Sequence, residues 1–98
     1  MRITNAVLIE KFCIKHKDAH SALEKWVEFV EKAQWMNHSA LKNDYLSADY
    51  VGNNRYVFNI KGNNYRLVVM VVFFAGSVDI RFIGTHKEYD KIKDIKNI

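Results

Sequence analysis

This 98-residue sequence has no proline, a single cysteine and no long apolar run. Its one cysteine, Cys13, excludes an internal disulfide and a multi-cysteine zinc site, so we expect a cytoplasmic protein in a reducing compartment. The longest apolar run, Leu67–Ala75, has nine residues, whereas a membrane-spanning helix needs about 20. Residues 1–5 lack the apolar core of a signal peptide. With no proline, repeat or linker, residues 1–98 are predicted to form one domain without membrane association.

Charge is unevenly distributed along the chain. Hydrophobic residues make up 49% and aromatic residues 13%, which excludes a disordered tail. Residues 1–50 hold seven basic and seven acidic residues, whereas residues 51–98 hold eight basic and four acidic ones. The whole excess of +4 therefore lies in the second half. Such a surface favours a polyanionic partner such as nucleic acid, although a merely soluble basic surface is the alternative.

The first half of the chain has helical periodicity. Apolar residues recur every three or four positions from Ala6 to Cys13 and again from Asp18 to Trp35, which predicts two helices. Asp18 is the expected N-cap of the second helix, because a short carboxylate can accept the free N–H groups of the first turn. A further short helix is predicted at Ser39–Asp44, and the residues from Tyr45 to Asn54 are predicted to form a loop.

The second half changes to a period of two, which predicts an antiparallel β-meander. Its strands are expected at Arg55–Lys61, Tyr65–Phe74 and Val78–Ile83, with turns at Gly62-Asn63 and Ala75-Gly76-Ser77. On the last strand, Val78, Ile80 and Phe82 are expected on one face, with Asp79 and Arg81 on the other. Arg2–Thr4 is a candidate edge strand.

A capping box is predicted at Thr85-x-x-Glu88, where it would begin a short terminal helix. The complete pattern predicts an α+β fold. Two N-terminal helices would pack on a small antiparallel sheet, followed by a short C-terminal helix.

Hairpin register brings separated polar residues together. A two-residue turn at Gly62-Asn63 places Asn59 opposite Arg66. A two-residue turn at Gly76-Ser77 places Val72 opposite Arg81 and Arg66 opposite Lys87, and a shift by one residue places Arg66 opposite Thr85. In either register, the residues expected to converge at one end of the sheet are Asn59, Lys61, Arg66, His86 and Lys87.

This set suits chemistry on a phosphate. Arginine can grip two phosphate oxygens through its planar guanidinium, and histidine can take and give a proton near neutrality. Tyr89 follows His86 by three residues, so on a helix its ring shares that face and could stack on an RNA base. No cluster of carboxylates and histidines is apparent, which disfavours a metal-dependent nuclease. A metal-free route fits RNA, whose ribose 2′-hydroxyl can attack its own phosphate.

The sequence resembles the HigB branch of the RelE-like toxins over essentially its whole length. The resemblance is carried by the Trp26/Trp35 helix, Asp49–Val51, Arg55–Ile60, Gly62-Asn63, Tyr65–Val69, Arg81-Phe82 and Gly84–Asp90. It implies the toxin of a type II toxin–antitoxin module, which cleaves mRNA without a metal or cofactor, usually on a translating ribosome. It also implies neutralisation by a HigA-type helix-turn-helix antitoxin, with an indirect association with DNA through that antitoxin.

The resemblance also implies roles for individual residues. By position, the residues matching the family's active site are Arg66, Arg81, His86 and Tyr89. The residues expected to bind RNA are Asn59, Lys61, Lys87 and Arg55. The general base could be His86, Lys61 with a lowered pKa, or neither acting alone, because the better-known RelE pattern uses lysines, arginines and a terminal tyrosine.

Two other functions are compatible with the same residues. One is a non-catalytic RNA- or ribosome-binding module, and the other is a protein-interaction domain whose basic face binds an acidic partner. Arg81 in particular could pair with Asp79 rather than with a phosphate.

Overall fold

Helices occupy most of the first half of the chain and strands most of the second in the computed structural model, which describes residues Met1–Ile98. The helices are α1 (Val7–Lys15), α2 (His20–Lys32), α3 (His38–Asp44) and α4 (His86–Asp90). The strands are β1 (Arg2–Thr4), β2 (Asp49–Gly52), β3 (Arg55–Ile60), β4 (Tyr65–Val72) and β5 (Ser77–Thr85). None of the helices has both the length and the apolar character that crossing a bilayer requires.

The five strands form one mixed sheet in the order β1-β5-β4-β3-β2. β1 is the expected edge strand, but it pairs in parallel with β5, so the expectation of a purely antiparallel sheet is wrong. Parallel strands need a long connection, which the helices and the other strands between β1 and β5 supply. β2 lies in the segment predicted as a loop; that prediction is wrong, since β2 is a four-residue edge strand.

The core lies between the helices and one face of the sheet. Seventeen buried apolar residues form a single cluster that joins α1, α2 and α3 to that face. The rings of Trp26 on α2 and Phe58 on β3 meet edge to face with centroids 5.4 Å apart. Because alternate strand residues share a face, Arg66 and Val68 project to the opposite face.

Asp18 does not cap α2 as predicted. It lies in a 3-10 turn, Lys17–Ala19, and α2 begins at His20 without a side-chain cap. The carboxylate instead accepts hydrogen bonds from the Tyr65 hydroxyl at 2.7 and 2.8 Å and from the Lys61 ammonium at 3.0 Å. Asp18 therefore accepts hydrogen bonds from distant side chains rather than from the N–H groups at the start of α2.

The two hairpins differ in how well their registers are predicted. Asn59 pairs with Arg66 as predicted. In the second hairpin Val72 pairs with Ser77 rather than Arg81, and Arg66 pairs with Gly84 rather than Lys87 or Thr85, so both predicted registers are wrong. The cause is a 3-10 turn over Phe73–Ala75, which ends at Gly76 with φ +64°. With this turn β4 ends at Val72 and β5 begins at Ser77, earlier than a two-residue turn at Gly76-Ser77 would allow.

A bulge in β5 changes the face on which Phe82 lies. Val69 pairs with Ile80 and Val68 pairs with Phe82, so Arg81 is the extra residue between them. Cross-strand partners share a face, and Phe82 therefore lies on the Arg66 face rather than beside Val78 and Ile80 as predicted.

Candidate active site

Arg66 occupies the end of β4 that adjoins α4. Its Cα partners are Asn59 on β3 and Gly84 on β5. The side chain is half-buried, and its Nε is buried without a hydrogen-bond partner. A guanidinium in this setting is costly unless its remaining donors are engaged, so its partners define the site.

His86 is the partner of Arg66. Arg66 Nη2 lies 2.8 Å from His86 Nε2. Because a guanidinium has donors only, Nε2 accepts this hydrogen bond, and the neutral imidazole carries its proton on Nδ1. The contact places the acceptor nitrogen of the histidine beside a guanidinium, a group that can bind a phosphate.

The capping box at the start of α4 positions His86. The Thr85 amide donates to Glu88 Oε1 at 2.8 Å, and the Glu88 amide donates to Thr85 Oγ1 at 3.2 Å, as predicted. The Thr85 amide is the largest cause holding the pKa of Glu88 below its usual value. Both ends of the first turn are thereby fixed next to β5.

Tyr89 lies on the same side of α4. Its ring centroid is 5.1 Å from Cζ of Arg66, a cation–π distance. Arg66 is thus in contact with His86, with which it was expected to converge, and with Tyr89, which was expected on the same helix face as His86.

Asp90 and Phe82 also lie at the candidate site, although the sequence pattern did not indicate them. Asp90 Oδ2 lies 3.6 Å from Nδ1 of His86, one helical turn away, and the i,i+4 spacing could have indicated it. Phe82 packs over Gly84, where a Cβ would lie 2.5 Å from the ring carbon Cζ. A side chain at position 84 would therefore have to displace the Phe82 ring. No sequence signal indicates the bulge that places Phe82 there.

Comparison with known proteins gives the family. Residues 19–92 match the model of the HigB toxin family, described as the RelE-like toxic component of a toxin–antitoxin system. The chain belongs to the HigB toxin family. It is 50% identical over 64 residues to the mRNA interferase toxin HigB of Escherichia coli K12 and to the mRNA interferase HigB of Shigella flexneri. Each alignment covers 62% of this chain, which spans 61% of the length of each of these relatives.

The segment that matches the HigB family contains the whole Arg66 centre, the cluster formed by Arg66, His86, Tyr89 and Asp90. Residues 19–92 include β3, β4, β5 and α4, and leave α1 and the last six residues outside the match. Asn59 lies directly across from Arg66, and Lys87 is exposed on α4. Lys61 does not join them but pairs with Asp18, which lies on the helical layer.

Two arginines of this HigB-family chain lie away from the centre. Arg55 is buried and donates to the backbone oxygens of Asn53 at 2.9 Å and Ile98 at 2.8 Å. Arg81 donates to Asp79 at 2.7 Å and to the Ile98 oxygen at 2.9 Å. Both guanidiniums therefore hold Ile98 against the sheet. The alternative in which Arg81 pairs with Asp79 rather than with a phosphate is the one present in the structure.

Metal ligands are not grouped in this member of the HigB toxin family. No set of three or more His, Cys, Asp or Glu side chains is placed to hold a metal ion. The chemistry available at the Arg66 centre is that of a guanidinium, an imidazole, a phenol and one carboxylate.

Proposed function

We propose that this chain is the toxin of a type II toxin–antitoxin module and an endoribonuclease that cuts mRNA without a metal ion. The single observation that carries the proposal is the 2.8 Å contact between Arg66 Nη2 and His86 Nε2. It places a phosphate-binding group and a proton acceptor side by side. The names of the relatives, mRNA interferases, support the same activity.

Arg66 is proposed to bind the scissile phosphate. An ionised phosphate oxygen is a stronger acceptor than a neutral imidazole, so substrate would displace His86 from the guanidinium. That exchange frees His86 Nε2 to accept the proton of the ribose 2′-hydroxyl. The Tyr89 ring lies over the guanidinium and would keep its plane oriented, and Asp90 would orient Nδ1.

The proposed reaction is an intramolecular transesterification. The 2′ oxygen forms a bond to phosphorus while its proton moves to His86, and the bond from phosphorus to the 5′ oxygen breaks. The 5′ oxygen leaves as a hydroxyl after taking a proton from the Tyr89 phenol or from water. Arg66 stabilises the charge that develops on the phosphorane oxygens.

The contacts of the other residues expected at the site divide them into two groups. Asn59, Lys87 and Phe82 are proposed to contact RNA beside the cleaved bond, because they adjoin Arg66 or α4. Arg81, Arg55 and Lys61 are engaged by Asp79, Ile98 or Asp18 and would act only if RNA displaced those partners.

The proposal extends to partners and setting. Membership of a toxin–antitoxin family implies an antitoxin and an mRNA substrate. We propose a HigA-type helix-turn-helix antitoxin that brings the complex to DNA, cleavage on translating ribosomes, and a cytoplasmic location. We also propose that residues 1–98 form one domain with the RelE-like arrangement, since one apolar cluster joins the helices to the sheet.

Cleavage in EDTA tests the proposal. Purified protein is incubated with a defined mRNA, alone and on translating ribosomes, with EDTA added to the RNA-only reaction. Cleavage that persists in EDTA or requires only the ribosome supports the nuclease. Salt-dependent RNA or ribosome binding without cleavage would contradict it and support the non-catalytic binding module.

A further inference from the structure

An apolar groove lies between α1 and α2, away from the Arg66 centre. It has a volume of about 480 Å³, and its floor is formed by Ile9, Cys13, Leu23 and Val27. Ile9 and Leu23 are buried, and burial raises the pKa of the Cys13 thiol. Ile14 lies at the rim with 74% of its surface exposed. The floor is therefore apolar and open to a partner.

The charges around this groove are of one sign. Its acidic rim residues are Glu10, Glu24 and Glu28, and no lysine or arginine lines it. Glu24 pairs with His20 at 2.9 Å, whereas Glu10 and Glu28 make no ion pair. In a chain with a net charge of +4, an apolar groove with two free carboxylates is a local exception.

The lining residues follow the geometry of two packed helices. On α2 they are His20, Leu23, Glu24, Val27 and Glu28, which have the i, i+3, i+4, i+7, i+8 spacing of one helix face. A third helix can lay an apolar stripe into such a groove, with its flanking side chains meeting the rim.

We propose that the α1–α2 groove docks a cationic amphipathic helix of a protein partner. Its apolar stripe would cover Ile9, Cys13 and Val27, and its lysines or arginines would meet Glu10 and Glu28. RNA does not fit, because the glutamates repel phosphates. The groove's role does not depend on the proposed nuclease activity, since it uses none of the residues of the Arg66 centre.

A matched pair of peptides tests the docking. Both are helical, roughly 18 residues long, with leucine along one face. One carries lysines on the flanks of that face and the other carries glutamates at the same positions. We expect the lysine peptide to bind the full chain with a dissociation constant below about 100 µM and to shift the amide NMR signals of Ile9, Cys13, Leu23 and Val27.

Charge variants provide the controls. Glu28→Gln and Glu10→Gln should each weaken the lysine peptide by about two- to fivefold, the range for a solvent-exposed ion pair. Asp49→Asn removes the same charge from β2 at the far edge of the sheet and should change nothing. Equal binding of both peptides, signal shifts confined to the Arg66 face, or no binding up to about 1 mM would each overturn the proposal. Groove signals that shift with a single-stranded RNA oligonucleotide would also overturn it.

Discussion

Arg66 differs from Arg55 and Arg81 in the kind of acceptor that its side chain has. Arg55 and Arg81 donate to backbone or carboxylate oxygens, whereas the one hydrogen-bond partner of Arg66 is an imidazole nitrogen. A phosphate is a stronger acceptor than imidazole, so exchange at Arg66 is favourable. At Arg81 a phosphate would have to displace a carboxylate. We therefore propose Arg66, rather than Arg55 or Arg81, as the phosphate ligand.

Replacing Arg66 should abolish most activity. Arg66→Ala removes the proposed phosphate ligand, and loss of one preorganised donor typically costs about 10²–10³ in rate. Arg66→Lys should restore only part of it, because an ammonium cannot reproduce the bidentate guanidinium. Single-turnover cleavage measures both. Arg2→Ala, an exposed arginine on β1, is the matched control. A folded Arg66→Ala protein with full activity would exclude the residue from the site.

Replacing His86 should separate catalysis from binding. His86→Gln keeps a hydrogen-bonding side chain of similar size but cannot take a proton. Cleavage should fall by about 10²–10⁴ while RNA or ribosome binding is retained. Cleavage rates and ribosome pelleting are measured on the same preparations, with His20→Gln on α2 as control. If binding and cleavage fall together, His86 only shapes the site.

Helix α4 has only five residues, so its position depends on its first turn. Thr85→Ala removes the hydroxyl that accepts from the Glu88 amide, and loss of such a cap costs roughly 1 kcal/mol of stability. Cleavage should fall as well, because the first turn of α4, which positions His86 and Tyr89, is no longer held in place. Urea denaturation and cleavage assays measure the two effects. Thr85→Ser retains the hydroxyl and should behave almost like the wild type; equal losses in both variants would argue against the cap.

Features that depend on residues close together in the chain could be predicted from the sequence. The capping box requires only Thr85 and Glu88, and the pairing of Asn59 with Arg66 follows from one turn. The prediction that His86 lies near Arg66 is correct even though the predicted register between β4 and β5 is wrong, because α4 follows directly after β5.

The features that were missed depend on long-range contacts. The bulge at Arg81 and the 3-10 turn before Gly76 set the second register, and neither has a local sequence signal. Asp18 was expected as a helix cap because a short carboxylate can accept the first-turn N–H groups. Its actual partners, Tyr65 and Lys61, are more than forty positions away, so no local pattern indicates them. Short β2 lacks the alternation that indicates a strand.

At the scale of the whole molecule, the Arg66 face of the sheet and the α1–α2 groove carry charges of opposite sign. The sheet face carries Arg66 and leads to Lys87, whereas the α1–α2 groove carries Glu10 and Glu28. The two surfaces would therefore select partners of opposite charge. Asp18 links the layers through Lys61 and Tyr65.

That link predicts how stability depends on pH. Hydrogen bonds from Tyr65 and Lys61 hold the pKa of Asp18 below its usual value. A carboxyl with a lowered folded pKa stabilises the protein above its unfolded pKa, and this contribution is lost as the pH falls through the folded value. The difference in unfolding free energy between wild type and Asp18→Asn should therefore shrink from about pH 6 to about pH 3. Asp49→Asn is the control, and a difference independent of pH would contradict this role.

Mapping mRNA ends in bacteria that express the chain tests the central claim most directly. Metal-free attack by the 2′-hydroxyl leaves a 5′-hydroxyl on the downstream fragment and a cyclic phosphate on the upstream one. We expect growth arrest with new 5′-hydroxyl ends within translated mRNA, and neither with Arg66→Ala at equal soluble expression. Continued growth with intact mRNA at high soluble expression of the wild type, or new ends that carry 5′-phosphates, would contradict the account.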